Sequence, residues 1–391
     1  MRKLLSVMLM VIFILSLAGC KTSSDTAQVK TGSEAETKAE EDTVVSEVSS
    51  DTTEVKTKTI VDHEGTEMEI PTEINRIVIV TWPISAQIPV YLGGAEKVVG
   101  ISPQAMTAAE NGLLGQIYPE ILNASTKFYE GGTINVEELL LLEPDIVIGA
   151  SGEAAESIRA AGIPVVAVST SKWGGDVVAT TEGWLDLFQQ IFGESETANK
   201  VKEYMRKTEA DISAKVASLS EEERKKVLFL FGYSDATMST SSKNFYGQSW
   251  CDHIGAIHAG KDIEEGTSVE INMEQVYEWN PDVILITNFT TALPEDLYNN
   301  AIGNDDWSTV NAVKNKEVYK MPLGMYRAYT AGVDVPITLQ WAAKSVYPQL
   351  FEDVDMKQVT KEYFRDCFSI ELTDEQVEKI FNPPREASAN Y

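Results

Sequence analysis

Short apolar runs separated by amphipathic stretches dominate this chain between about residues 59 and 350. Ile77-Val78-Ile79-Val80, Val98-Val99-Gly100-Ile101, Ile146-Val147-Ile148 and Val165-Val166-Ala167-Val168 are apolar on both sides of the strand period. Such runs predict strands buried on both faces, the mark of a parallel sheet covered by helices. Segments 86–92, 136–142 and 154–161 lie between them and predict helices. Ahead of them, two alternating runs flank Glu64-Gly65, which predicts a hairpin over 59–71. From 176 to about 219 the spacing is helical, with Trp184, Leu187, Phe188 and Ile191 on one stripe and a break at Gly193-Glu194-Ser195. Strand–helix alternation restarts at Val227-Leu228-Phe229-Leu230-Phe231, so the pattern predicts a second α/β lobe.

An internal repeat supports two related lobes. Segment 134–148 lies on 271–285 without a gap, with Pro144 on Pro281, an offset of 137 residues. Ile134, Asn135, Glu137, Pro144 and Asp145 coincide with Ile271, Asn272, Glu274, Pro281 and Asp282. In each copy the Asn suits a helix N-cap and Pro-Asp closes the helix before a strand.

The ends differ in character from the body. Arg2 and Lys3 precede an apolar run over 4–17 that is too short for a permanent membrane span, which reads as a signal peptide over 1–19. Leu17-Ala18-Gly19-Cys20 resembles the bacterial lipobox, so Cys20 is expected to carry lipid on the extracytoplasmic side of the cell membrane. Segment 20–58 is polar and lacks aromatic residues, and reads as a disordered tether. Toward the other end, Thr373-Asp374-Glu375-Gln376 is a capping box ahead of a short helix stopped by Pro383-Pro384.

The formal charge of −28 becomes more negative once Arg2 and Lys3 leave, which argues against nucleic acid as a partner. Cys251 and Cys367 either pair in an oxidising compartment or stay as buried thiols. No Gly-x-Ser-x-Gly, His-Glu-x-x-His, Walker loop or Gly-x-Gly-x-x-Gly occurs, so nothing points to an enzyme or a resident cofactor.

In order along the chain, Asp62…Gly65…Pro71…Arg76-Ile77-Val78, Leu92-Gly93-Gly94…Val98-Val99-Gly100, Asn135-Val136-Glu137…Pro144-Asp145, Asn272-Met273-Glu274…Pro281-Asp282 and Trp307…Ala312-Val313-Lys314-Asn315…Val318-Tyr319 resemble one family. It is the periplasmic-binding-protein-like solute receptors that deliver ferric siderophores, haem and cobalamin to ABC importers. The resemblance implies two doubly wound α/β lobes with mainly parallel sheets, joined by one long α-helix: a first lobe over 59–175, the helix over 176–219 and a second lobe over 220–391. It implies a monomer that hands a small-molecule ligand to an ABC permease and its ATPase. It implies that Glu137 and Glu274, one per lobe, dock to arginines of the permease.

Ligands of open α/β sheets bind beyond the carboxyl ends of the strands. That rule selects Trp82, Trp173 and Tyr233 after strands, then Phe289, Tyr326 and Arg327, with Tyr129 in a loop before Gly131-Gly132. Aromatic walls suit a flat or bulky solute, and Arg327 suits an anionic group. With His63, His253 and His258 as the sole histidines, a bare transition-metal site is disfavoured. The expected solute is an iron chelate of the siderophore type, with cobalamin or haem as alternatives. A sensor or adhesive surface lipoprotein is the alternative from another class.

Overall fold

The computed structural model describes residues 56–388. The signal peptide, Cys20 and nearly all of the tether lie outside them. The fold begins slightly before residue 59, because Thr57 and Lys58 already pair with Pro71 and Ile70 in the opening hairpin of Thr57–Val61 and Glu67–Pro71.

Two four-stranded parallel sheets follow. The first runs, neighbour to neighbour, Val98–Ile101, Ile77–Ile79, Ile146–Ile148, Val165–Val166. The second runs Ile257–His258, Lys226–Leu230, Val283–Ile286, Val318–Lys320. In chain order each sheet is arranged second, first, third, fourth. Short antiparallel pairings decorate both, including Tyr129–Glu130 with Thr133–Ile134.

The repeat is a structural unit. Asn135 and Asn272 each accept from the backbone N–H three residues on, at 3.1 and 3.0 Å. Glu143 and Asn280, equivalent positions, both take a left-handed backbone with φ of 45° and 44°. Asp145 and Asp282 accept from the backbone N–H of Arg76 and Lys226 at 2.9 Å. The cationic ends of Arg76 and Lys226 then donate to the carbonyls of Leu142 and Trp279. Each motif thus locks a helix end to the start of its lobe's first strand.

Strand period two distributes the side chains over separate cores. Ile77, Ile79, Ile146 and Ile148 of the first sheet and Val227, Phe229, Val283 and Leu285 of the second belong to one continuous buried cluster. The intervening Val78 and Val147 face a smaller cluster in the first lobe, and Leu228, Leu230, Ile284 and Ile286 face one in the second.

Between the sheets the chain passes through Val177–Phe192, capped by Asp176, and Glu196–Val216, capped by Ser195. The helical stretch breaks where its spacing does, because Gly193 at φ 95° ends the first helix, so the single long helix implied by the resemblance is two. The second helix, of 21 residues, is about 31 Å long. Cys251 and Cys367 are free and buried, and burial pushes the Cys367 thiol up to about 12.

His253 of helix Tyr246–Ile254 ties these elements together. Its Nε2 meets Asp176 and its Nδ1 meets Glu209, both at 3.0 Å. Burial pushes its pKa down, but hydrogen bonds to the two carboxylates prevail and lift it to about 9. A histidine raised in this way adds stability that is full below its unfolded pKa near 6.5 and lost as pH rises through about 9. His253→Gln should therefore lower the Tm most at about pH 6, with the gap to wild type closing by about pH 10 in calorimetry. A gap that stays constant over that range would mean that the imidazolium charge contributes nothing.

Candidate functional site

The carboxyl ends of both sheets open onto one cleft of about 440 Å³. From the first lobe come Thr81 and Trp82, after strand Ile77–Ile79, and Gly149, after Ile146–Ile148. Gly149 is obligatory there: its φ is +86°, and a Cβ would fall 1.9 Å from Thr81 Oγ1. From the second lobe come Phe231, Phe245, Tyr246, Phe289 and Tyr329. These rings hold one another. Phe231 and Phe289 stack at 5.0 Å between centroids, and Tyr329 lies 5.4 Å from Phe231 and 6.2 Å from Tyr246. Hydroxyls of Thr170, Ser268 and Thr330 add polar points between the rings.

A second cavity of about 470 Å³ adjoins this one, sharing Val80 and Gly149. It lies under the Tyr129–Ile134 hairpin and is lined by Tyr129, Ser151 and Ser157. Tyr129 thus belongs to this polar annex and is not among the residues lining the aromatic cleft.

Arg327 sits behind the second-lobe wall. Its guanidinium carbon is 5.0 Å from the Phe289 ring centroid and 5.8 Å from that of Tyr326. The residue is 1 % exposed, and among the described residues its guanidinium faces no carboxylate and makes no well-formed hydrogen bond, with the Tyr326 hydroxyl as its polar neighbour. Asn288, next to Phe289 in the chain, is fully buried with neither amide atom partnered among the described residues, and the buried Tyr326 hydroxyl has the Arg327 guanidinium as its polar neighbour. Burial pushes that hydroxyl up to about 12, with the Arg327 cation working the other way. An unpaired buried charge costs several kcal/mol, and neither Arg327 nor Tyr326 is among the residues lining the aromatic cleft.

Two of the strand-end candidates go elsewhere. Trp173 stands edge-on to His63 at 5.0 Å and covers Gly183, where a Cβ would strike its ring at 2.1 Å. It fastens the opening hairpin to helix Val177–Phe192 and does not line the cleft. Tyr233 turns into the second lobe's own core, where its hydroxyl accepts from Trp307 Nε1 at 2.9 Å and donates to Asp305 at 3.0 Å. The sequence reading overlooks Phe231 as a wall residue because it ends an apolar strand run and looks like core. Among the described residues, no three His, Cys, Asp or Glu side chains converge as a metal site would require. His63 is held by Gly183 O and Ser169 N, and buried His258 is pushed down to about 4.

Glu137 and Glu274 are exposed in the first turns of helices Val136–Leu140 and Met273–Trp279, one on each lobe. Among the described residues no helix is long and apolar enough to cross a membrane.

The sequence pattern of the periplasmic binding protein family matches residues 77–323. The molybdate-binding protein MolA of Haemophilus influenzae is 24 % identical over 331 residues, spanning 79 % of this chain and 90 % of the relative. An uncharacterised ABC transporter substrate-binding lipoprotein of Bacillus subtilis, YvrC, is 25 % identical and spans 86 % and 95 %. The crystal structure of a periplasmic solute-binding protein from Veillonella parvula superposes with a TM-score of 0.73 at 27 % identity, covering 84 % of this chain and 97 % of that one. With the family's pattern running from the first strand to beyond the last and both sheets opening on one cleft, the chain belongs to the periplasmic binding protein family as a solute-binding protein of an ABC importer.

Proposed function

We propose that this protein captures a compact, anionic iron chelate and passes it to an ABC permease, working from a lipid anchor on Cys20. The observation that carries the reading is a wall of stacked rings with an unpaired buried guanidinium, Arg327, behind it. Rings grip the flat organic arms of a chelate, and the cation answers its negative charge. The cleft lies toward the small end of the ~300–1,000 Å³ range of ligand sites, which favours a compact chelate over cobalamin. Trp82 and Phe289 are the contacts of this reading, with Arg327 acting through its charge from behind Phe289, Tyr326 supporting Arg327 and Tyr129 reaching the solute from the annex. The name of MolA adds a second reading, a tetrahedral oxyanion held by the same buried donors. Lipidation at Cys20 draws support from the lipobox and from the name of YvrC.

Tryptophan fluorescence of the purified protein, titrated with a ferric catecholate, haem, cobalamin, molybdate and bare metal ions, tests this. Saturable quenching by the ferric catecholate is expected, with Trp82→Phe removing most of the signal. Arg327→Met should weaken binding ~tenfold or more, about 1.4 kcal/mol, while leaving the Tm unchanged or raised. Tyr233→Phe should leave affinity within about twofold yet cost about 1 kcal/mol of stability through its lost hydrogen bonds. Quenching by molybdate alone would replace the chelate with the oxyanion, and silence from every solute would overturn both.

Glu137 and Glu274 are proposed to orient the protein on its permease through charge-assisted pairs with arginine. Replacing both with Ala should cut uptake by cells while solute affinity stays at the wild-type value. Uptake that survives the double change would remove the docking role and favour a sensor or adhesive protein.

A further inference from the structure

Phe289 reaches the cleft on a loop, residues 287–292, that follows strand Val283–Ile286 of the second sheet. The loop's carbonyls are claimed by two cations from distant parts of the chain. Lys320, at the end of strand Val318–Lys320, donates from Nζ to the carbonyls of Thr287 at 2.8 Å, Thr290 at 2.6 Å and Ala292 at 3.0 Å. All three N–H donors of an ammonium are thereby spent on one loop. Arg385 donates to a fourth carbonyl of the loop, Thr291, at 2.8 Å, and grips Asp296 with both terminal nitrogens. Asp296 in turn accepts from the Leu293 N–H at 2.8 Å, where the loop enters helix Pro294–Tyr298.

A lysine buried merely as filler would leave its ammonium reaching for water. Here Nζ lies inside the protein, and burial lowers its pKa to about 7, with Arg385 and Arg327 adding to the effect. That cost is accepted at the place where the backbone turns beneath Phe289. Arg385 comes from the C-terminal segment, just past the Pro383-Pro384 stop. The turn Arg385–Ala387 also packs against helix Pro103–Asn111 of the first lobe, so the segment reaches across both lobes.

We propose that Lys320 and Arg385 are positioning residues for solute capture, a pair of cations that fixes loop 287–292 in the shape that presents Phe289 to the cleft. The proposal rests on the cleft being the solute site. Preorganised walls cost less to order on binding, so a loosened loop should bind more weakly and release faster.

The test is residue-resolved amide hydrogen exchange on the whole chain, beside titration with the ferric catecholate used above. Lys320→Met and Arg385→Ala should speed exchange at Phe289, Ala292 and Leu293 ~tenfold or more, with the amides of Val283–Ile286 unchanged. Both variants should weaken catecholate binding ~tenfold, mainly through faster dissociation. Arg385→Lys should restore both the loop and the affinity. If Lys320→Met does not fold, half-exposed Arg385 carries the test alone. Loop amides as protected as in wild type, or opening only together with the strand, would overturn the proposal. So would a loosened loop with unaltered affinity. A wild-type protein that takes up no catecholate would refute the chelate reading instead, and exchange would still decide whether the cations hold the loop.

Discussion

The structure depends on one constraint: the inward side chains of both sheets share a single apolar core. Ile77 and Ile148 at one end and Phe229 and Leu285 at the other belong to the same buried cluster, with Trp184, Met205 and Trp250 from the intervening helices. Opening the lobes widely would expose that shared surface at about 25 cal/mol per Å². The shared core therefore opposes a wide hinge opening of the lobes. The break at Gly193 does not loosen this, because Asp176, Glu209 and His253 tie both helices to the second lobe.

A body of that stiffness must recognise its solute with walls already in place. The second-lobe wall meets the need through mutually packed rings on loops pinned by side chains. Thr287 and Thr290 donate to the carbonyls of Phe231 and Tyr233, joining the third strand's exit to the first strand's. The first-lobe wall relies on backbone form, since Gly149 alone lets the Thr81-Trp82 turn close on the neighbouring strand end. The unpaired Arg327 is intelligible in the same terms. On the proposed reading, a cation that a carboxylate had already neutralised could not discriminate an anionic solute, so the cost in stability would serve selectivity.

Much of this is legible in the sequence. The strand runs, the hairpin and the two-lobe repeat follow from local rules: apolar period, Asn caps and Pro-Asp helix ends act within a few residues. Site residues are harder, because the strand-end rule states where a side chain starts and not where it turns. Tyr233 is drawn inward by Trp307, 74 positions away, and Trp173 by the bare surface of Gly183. Phe231 looks like core until the sheet is assembled and its last ring projects past the edge. The roles of Lys320 and Arg385 are invisible in the same way, since their partners are backbone carbonyls that carry no residue signature.

The two lobes are alike in scaffold and unlike at the cleft, and that division has a physical source. The repeated motif holds the amino ends of the strands, far from the solute, where both copies face the same task of closing a helix onto a sheet. At the carboxyl ends the copies diverge: the first lobe offers Trp82 and the polar annex, the second a stack of rings backed by cations. On the proposed reading, a symmetric scaffold with an asymmetric cleft would let the protein present similar faces to its transporter while gripping a solute that has no such symmetry. Glu137 and Glu274 lie on the motif helices and so belong to the half that the two lobes share, whereas Phe289 and Arg327 belong to the half in which the lobes differ.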